Sequence, residues 1–200
     1  HGWRLDIGSE MSERHPVETL EAEHRVIQRV VAGMIALANE LEAGADVAPS
    51  LLERIVEFLR TFADRCHHGK EEAWFFPALV RRGVPSHGCP IGGLTMEHQK
   101  GRQMVNELDA AIQSWQRDES ASSENVVKTL RALATFYPNH IWKEDYLLFP
   151  LADRFLTSED QRELAERFED VEGEIGNELH VEMERLADDL ETYTTSGGRP

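Results

Sequence analysis

The sequence has few cysteines, few basic residues and no long apolar run. Only two cysteines occur in 200 residues, which is far too few for a disulfide framework and favours reduced thiols. Lysine and arginine number 21 against 37 aspartates and glutamates, and the net charge of -16 opposes binding to nucleic acid or to anionic membranes. No stretch approaches the roughly 18 apolar residues of a membrane span, and no signal peptide is recognisable. These absences predict a soluble cytoplasmic protein.

Apolar residues recur at intervals of three and four almost throughout the chain, which predicts an all-α fold. Four long helices are expected at residues 17–41, 50–81, 94–115 and 124–155. The connections between them are short, so we expect a four-helix up-down-up-down bundle. Further helical periodicity between Ser158 and Leu190 predicts an additional C-terminal helical element on an end or a flank of the bundle.

We expect four parts along the chain. Residues 1–15 are predicted to be a disordered or vector-derived N-terminus, since the segment beginning at Met11 resembles a natural start. The helical bundle is assigned to residues 16–156. A C-terminal helical extension packed on the bundle is assigned to residues 157–193, and a polar, flexible tail to residues 194–200.

Two segments, in the second and fourth predicted helices, repeat one another without a gap. HHGKEEAWFFPAL starts at residue 67 and HIWKEDYLLFPLA starts at residue 140. Each begins with a histidine and carries a glutamate four residues later, so both side chains lie on one face of the helix. The two pairs are His67 with Glu71 and His140 with Glu144.

Two more histidines, His24 and His98, occupy the apolar stripes of the first and third helices. A lone histidine on such a stripe is more often a hydrogen-bonded core residue than a ligand, and a lone glutamate is usually exposed. Four inward imidazoles and two carboxylates in one bundle would, however, destabilise one another without a cation. This ligand type suits iron, manganese or zinc, and the absence of a cysteine quartet argues against structural zinc or an iron–sulfur cluster. We therefore predict a metal site, with iron preferred.

The motifs around these residues resemble the hemerythrin-like, or HHE cation-binding, family in its longer bacterial form. The resemblance spans residues 17–155 and rests on His24 and on the segments HHGKE, EHQKGR and HIWKE. It implies a four-helix bundle that encloses two non-haem iron ions bridged by an oxo or hydroxo group, with manganese or zinc as substitutes. Carried over to this sequence, the terminal nitrogen ligands are His24, His67, His98 and His140, and the bridging ligands are Glu71 and Glu144.

The sequence departs from the oxygen-carrying members of that family at two positions. Those members have a second histidine one turn after the position of His98, and this chain has Arg102 there. They also use an aspartate five residues after the last histidine. Asp145 stands at that position, but the internal repeat favours Glu144 as the ligand, with Asp145 as a residue that supports a ligand.

The expected ligand set leaves part of the coordination of the two ions unfilled. With about six positions on each iron, the predicted ligands and one shared solvent oxygen fill about ten of twelve. The other two are open to a small ligand, or His180 fills one of them if the last helix folds over the site. His68 is expected to be solvent-exposed or to support a ligand, unless the helical register is wrong by one residue.

The resemblance implies reversible binding or sensing of O2, NO or peroxide at an open iron position. A di-iron enzyme acting on peroxide or NO is an alternative, and iron storage or donation for iron–sulfur repair is another. We expect a metal- and small-ligand-binding protein rather than a dedicated enzyme, without catalytic residues other than the metal ligands. Neither nucleic acid nor membrane is an expected partner, and the sequence leaves the oligomeric state open.

Overall fold

The computed structural model describes residues 15–117 and 122–195, with side chains described through residue 193. Within these ranges the regular structure is entirely helical, which confirms the predicted all-α fold. None of the described helices combines the length and the apolar character that crossing a bilayer requires. The predictions for the N-terminus and for the tail fall almost wholly outside the described residues.

The bundle consists of four rods, two of which contain π-helical turns. The helices are α1 (Pro16–Glu42), α2 (Pro49–Phe58), α3 (Phe76–Arg81), α4 (Ile91–Arg117), α5 (Glu124–Lys143), α6 (Pro150–Phe155), α7 (Ser158–Ile175) and α8 (Asn177–Thr195). The π-helical segments are Leu59–His68 and Glu71–Phe75, between α2 and α3, and Glu144–Leu148, between α5 and α6. The four rods are α1, α2 through α3, α4, and α5 through α6. They correspond to the four predicted helices.

A wide π turn precedes each proline of the internal repeat. In the fourth rod, the amide of Phe149 donates to the carbonyl of Glu144 at 2.8 Å, across five residues. A proline inside an α-helix lacks a donor, and its ring clashes with the carbonyl four residues earlier. The wider turn accommodates Pro77 and Pro150 in rods that continue beyond them.

Two apolar clusters occupy the bundle, one on each side of the histidines. The larger cluster includes Ile27, Met34, Leu52, Leu108 and Leu130. The smaller cluster includes Leu20, Phe75, Leu94, Leu148 and Phe168. Since His24 lies between Leu20 and Ile27 in α1, the histidine layer is enclosed by apolar side chains above and below it.

The C-terminal helices, α7 and α8, lie on a flank of the bundle, where α8 packs along the first rod and α7 contacts the first and second rods. α8 packs against α1 and contributes Met183, Leu186, Ala187 and Leu190 to the larger cluster. α1 and α8 approach one another closely at Gly33, where an added Cβ would lie 2.6 Å from the Cβ of Leu190. A glycine at this position therefore permits the close contact.

We expect Gly33→Ala to lower the free energy of unfolding by about 1–3 kcal/mol, because the added methyl group overlaps Leu190 and one helix must shift. Gly173→Ala is the matched control, since Gly173 lies in α7 with no atom within 4 Å of an added Cβ. Alanine at that position should raise stability by up to about 1 kcal/mol. Urea unfolding measures both variants, and equal stabilities would contradict the close packing of α8 on α1.

Candidate metal centre

The six side chains predicted to bind metal converge between the two apolar clusters. Each has at most 2% of its surface exposed. They are His24 from α1, His67 and Glu71 from the second rod, His98 from α4, and His140 and Glu144 from the fourth rod. His68 is equally buried at 2%, so the expectation of a solvent-exposed side chain is wrong for this residue.

The donor atoms form two neighbouring groups, in each of which all atoms lie within 4.8 Å of one another. The first group is His24, His67, Glu71 and Glu144. The second group is His68, His98 and His140. Ligands that each lie about 2 Å from one ion are separated by up to about 4 Å. Each group is therefore close to the spacing that one cation requires.

The carboxylate of Glu144 lies between the two groups. Its Oε2 is 3.0 Å from Nε2 of His24 in the first group, and its Oε1 is 3.0 Å from Nε2 of His140 in the second. Glu71 also faces both groups, but with a single oxygen: its Oε2 lies 3.8 Å from Nε2 of His67 in the first group and 3.5 Å from Nε2 of His98 in the second. Both carboxylates thus have the position of a ligand that two ions share.

Three buried atoms at the centre lack a hydrogen-bond partner among the described residues. They are Oε1 and Oε2 of Glu71 and Nε2 of His140, whose 3.0 Å contact with Oε1 of Glu144 lacks hydrogen-bond geometry. Burial and the adjacent Glu144 raise the pKa of Glu71 well above its ordinary value. Burial acts in the same direction on Glu144, but the surrounding imidazoles, His140 foremost, hold its pKa well below the ordinary value. Since each unsatisfied buried polar group costs about 1–3 kcal/mol, a set of donors so arranged fits bound cations.

Every imidazole of the two groups contacts a carboxylate through Nδ1, on the side of the ring that faces away from the centre. The contacts join a carboxylate oxygen to Nδ1 at 2.7 to 3.2 Å. The pairs are His24 with Asp145, His67 with Glu23, His68 with Asp64, His98 with Glu72, and His140 with Glu97. A proton held on Nδ1 leaves the lone pair of Nε2 free and aims it at the centre. The contact of Asp145 agrees with its predicted supporting role.

Sequence reasoning missed the supporting role of Glu23, although the sequence contains a signal for it, and left Glu72 open between supporting a ligand and facing solvent. The dipeptide Glu-His occurs at residues 23–24 and again at 97–98, so the internal repeat extends into α1 and α4. In both halves the glutamate of this dipeptide holds the histidine of the next rod. Glu72 and Asp145 also correspond, because each directly follows a glutamate of the first donor group.

His180 does not join either group. Its half-buried ring lies 5.2 Å from the ring of Phe62, and it lines a surface cavity of about 480 Å³ together with Glu23 and Glu172. Metal binding by His180 stays a prediction, and this position does not support it.

Comparison with known proteins points to the same centre. The model of the hemerythrin HHE cation-binding domain matches residues 15–152. The chain belongs to the hemerythrin HHE family. Uncharacterized proteins of Mycobacterium tuberculosis and of Mycobacterium bovis are each 25% identical over 191 residues, which cover 90% of this chain and 73% of theirs. The matched region contains every residue of the two donor groups, so a cation-binding domain holds the histidines and glutamates described above.

Arg102, the departure from oxygen-carrying hemerythrins, anchors two of the supporting carboxylates. Its Nη2 lies 2.7 Å from Oδ1 of Asp64 and 2.9 Å from Oε1 of Glu72. In this hemerythrin domain the second rod instead supplies the additional imidazole, since the rings of His68 and His98 stack at 3.9 Å. The two donor groups thus contain five imidazoles in total.

We expect His68→Gln to weaken metal binding by about 10-fold to 100-fold, because losing a ligand should cost at least as much as losing an outer-shell partner. His180→Gln should leave the affinity of the hemerythrin domain unchanged. Competition with chelators of graded affinity measures both variants. Equal affinities would contradict the assignment of His68 to the centre.

Metal binding should also release protons. Burial lowers the pKa of His24, but hydrogen bonds to Asp145 and Glu144 outweigh it and raise the pKa to about 9. Burial is likewise outweighed at His140, where Glu144 and Glu97 raise the pKa to about 9. Both rings are therefore protonated at neutral pH in the metal-free hemerythrin domain, and a cation must displace those protons.

Protons and metal ions compete for the rings of His24 and His140, so metal binding should strengthen as the pH rises. A titration with metal in weak buffer near pH 7 should release about two protons or more per chain, and the apparent affinity should rise between about pH 6 and 9. A pH electrode records the release directly. An affinity that is independent of pH over this interval would contradict the protonation of His24 and His140.

Proposed function

We propose that this hemerythrin domain binds a pair of iron ions and uses them to bind or sense a small ligand, namely O2, NO or peroxide. The observation that carries the proposal is the carboxylate of Glu144, which turns one oxygen to each donor group at 3.0 Å. A single cation would use only one of these groups. Imidazole and carboxylate ligands suit iron, and Glu71 offers a second shared ligand.

The ligand set supports one open position. The first group contains two imidazoles and both carboxylates, and the second contains three imidazoles. Each carboxylate also faces an imidazole of the second group, Glu71 at 3.5 Å and Glu144 at 3.0 Å. With about six positions on each ion and one shared solvent oxygen, about eleven of twelve are filled. The count rises by one from that made on the sequence because His68 joins the second group. The open position therefore belongs to the ion of the first group.

The side chains around the first group exclude water and hold a proton. An iron pair would supply reversible electron transfer and a coordination position for a small ligand. Phe149 stacks on the ring of His24 at 5.4 Å, and Phe75 packs edge-on against Phe149 at 5.7 Å. Asp145 accepts from Nδ1 of His24 at 2.7 Å and is 28% exposed. This pair can move a proton between the centre and solvent.

The burial of the ligands favours retention of the metal over its donation. No residue of the two groups exposes more than 2% of its surface, so access of a chelator to the ions should be slow. Iron storage or donation would instead predict release of iron to a chelator within minutes. Retention over hours supports the ligand-binding role.

Anaerobic reduction followed by exposure to each ligand tests the proposed function. We expect O2, NO or peroxide to change a near-ultraviolet charge-transfer band, with saturation at one ligand per pair of ions. A spectrum that none of these ligands changes would overturn the proposal. Sustained consumption of peroxide or NO that depends on Glu144 would favour the enzyme alternative.

A further inference from the structure

A buried lysine connects the C-terminal helices to the metal centre. Lys70 lies in the second rod and has no exposed surface. Its Nζ donates to Glu23 and, at 2.6 Å, to Oε1 of Glu172 near the end of α7. The ring of Phe168, also from α7, lies 5.7 Å from the ammonium. A buried ammonium is costly unless it is paired, and the two carboxylates supply that pairing.

Glu23 extends this contact to an imidazole of the centre. Its Oε1 accepts from Lys70, and its Oε2 accepts from Nδ1 of His67 at 2.9 Å. Because each oxygen has a different partner, Lys70 fixes the rotation of the carboxylate, and the carboxylate fixes the ring of His67. Three consecutive contacts therefore lead from Glu172 to a ligand of the first group.

The other half of the repeat lacks the third contact. Lys143 corresponds to Lys70 and donates to Glu97, which holds His140. Lys143 is 41% exposed, and within the described ranges no residue of the C-terminal helices reaches it. α8 packs mainly against α1, whereas α7 contacts both α1 and the second rod. The additional contact, from Glu172 to Lys70, is thus confined to the half of the repeat that holds His67, next to the proposed open position.

We propose that Glu172 is a positioning residue of the metal centre, which acts through Lys70 and Glu23 on the orientation of His67. The inference rests on the proposed metal pair and gives the C-terminal helices a part in its chemistry. Without the carboxylate of Glu172, Lys70 keeps one partner instead of two. Glu23 and the ring of His67 then gain rotational freedom. This weakens the bond from His67 to the ion and changes the ligand field at that ion.

Glu172→Gln in the full chain tests the inference, because glutamine keeps the size of the side chain and removes its charge. Cobalt(II) alone is the probe, since its visible spectrum reports ligand geometry. Loss of a direct outer-shell partner lowers metal affinity about 10-fold to 100-fold. Glu172 acts two contacts further out, so we expect a loss of about threefold to tenfold and a shifted visible band, with unchanged helical content by circular dichroism.

Two further variants distinguish an effect of Glu172 on the orientation of His67 from an effect on the packing of the C-terminal helices. Glu169→Gln makes the same chemical change on the same helix at an exposed side chain, and it should leave affinity and spectrum unchanged. Arg82→Gln removes the ion pair with Asp160, at 2.7 Å, that anchors the start of α7 to the bundle. This variant loosens the C-terminal helices without touching Lys70, and it should also leave the cobalt spectrum unchanged.

The three variants together test the positioning role of Glu172. A spectral shift and an affinity loss in Glu172→Gln alone support the positioning role. The same changes in Arg82→Gln, or none in Glu172→Gln, overturn it. An unmodified chain that takes up no cobalt overturns this inference and the metal pair together. An indifference to O2, NO and peroxide overturns only the proposed ligand, because cobalt affinity is measured without any of them.

Discussion

Replacement of Glu144 by glutamine is expected to abolish stable binding of both ions. The carboxylate turns one oxygen to each donor group at 3.0 Å, so the amide removes an anionic ligand from both ions at once. Loss of an outer-shell partner alone weakens metal affinity about 10-fold to 100-fold, and the loss of a shared ligand should exceed about 100-fold. Elemental analysis after gel filtration measures the metal that remains bound.

Glu166→Gln is the control for this variant, since it makes the same chemical change on the exposed surface of α7. It should retain the full metal content. Circular dichroism must show equal helicity for both proteins, because loss of the fold would remove the metal for another reason. A folded Glu144→Gln protein that keeps both ions would contradict the bridging position.

Removal of the metal should lower the melting temperature by about 8–16 °C. An ion present at about 1,000 times its dissociation constant stabilises the folded state by about 4 kcal/mol. Each kcal/mol shifts the melting temperature of a chain of this size by about 2–4 °C. The physical reason lies in the centre itself, where burial and the neighbouring Glu144 oppose ionisation of Glu71, and a cation would relieve this conflict.

Calorimetry before and after dialysis against a chelator measures this shift. Renewed addition of iron should restore the original melting temperature, which excludes irreversible damage as the cause. Glu144→Gln provides the matched comparison, because its melting temperature should not respond to chelator or to iron. Identical melting temperatures for the metal-loaded and stripped wild-type protein would contradict a cation in the bundle.

The four rods could be predicted because the apolar period in each is regular and the connections are short. The gapless repeat beginning at His67 and His140 also placed histidine and glutamate on the inner face of two rods. Burial of both pairs follows directly from that pattern. The fold and six buried side chains of the centre are therefore readable from local sequence.

His68 could not be predicted because the relevant turns are not α-helical. An assignment based on a period of 3.6 residues rotates this side chain by about 100° from His67 and away from the centre. The π-helical segment Leu59–His68 contains wider turns. Wider turns change the direction in which successive side chains point around the helix axis. Both adjacent histidines consequently enter the bundle.

The connection from Glu172 could not be predicted for a different reason. Its contact with Lys70 spans 102 residues and depends on how α7 packs on the second rod. The sequence pattern predicted an additional helical element but did not decide between an end and a flank of the bundle. In the sequence alone, Lys70 cannot be distinguished from an exposed surface lysine. Its pairing depends on α7, which supplies Glu172 and Phe168.

Metal stoichiometry tests the central claim most directly. The protein should be purified without a polyhistidine tag, loaded anaerobically with iron(II), freed of unbound metal and analysed for iron and for protein in the same sample. Two iron ions per chain is the result that the paired donor groups predict. One ion per chain, or none, would contradict the account.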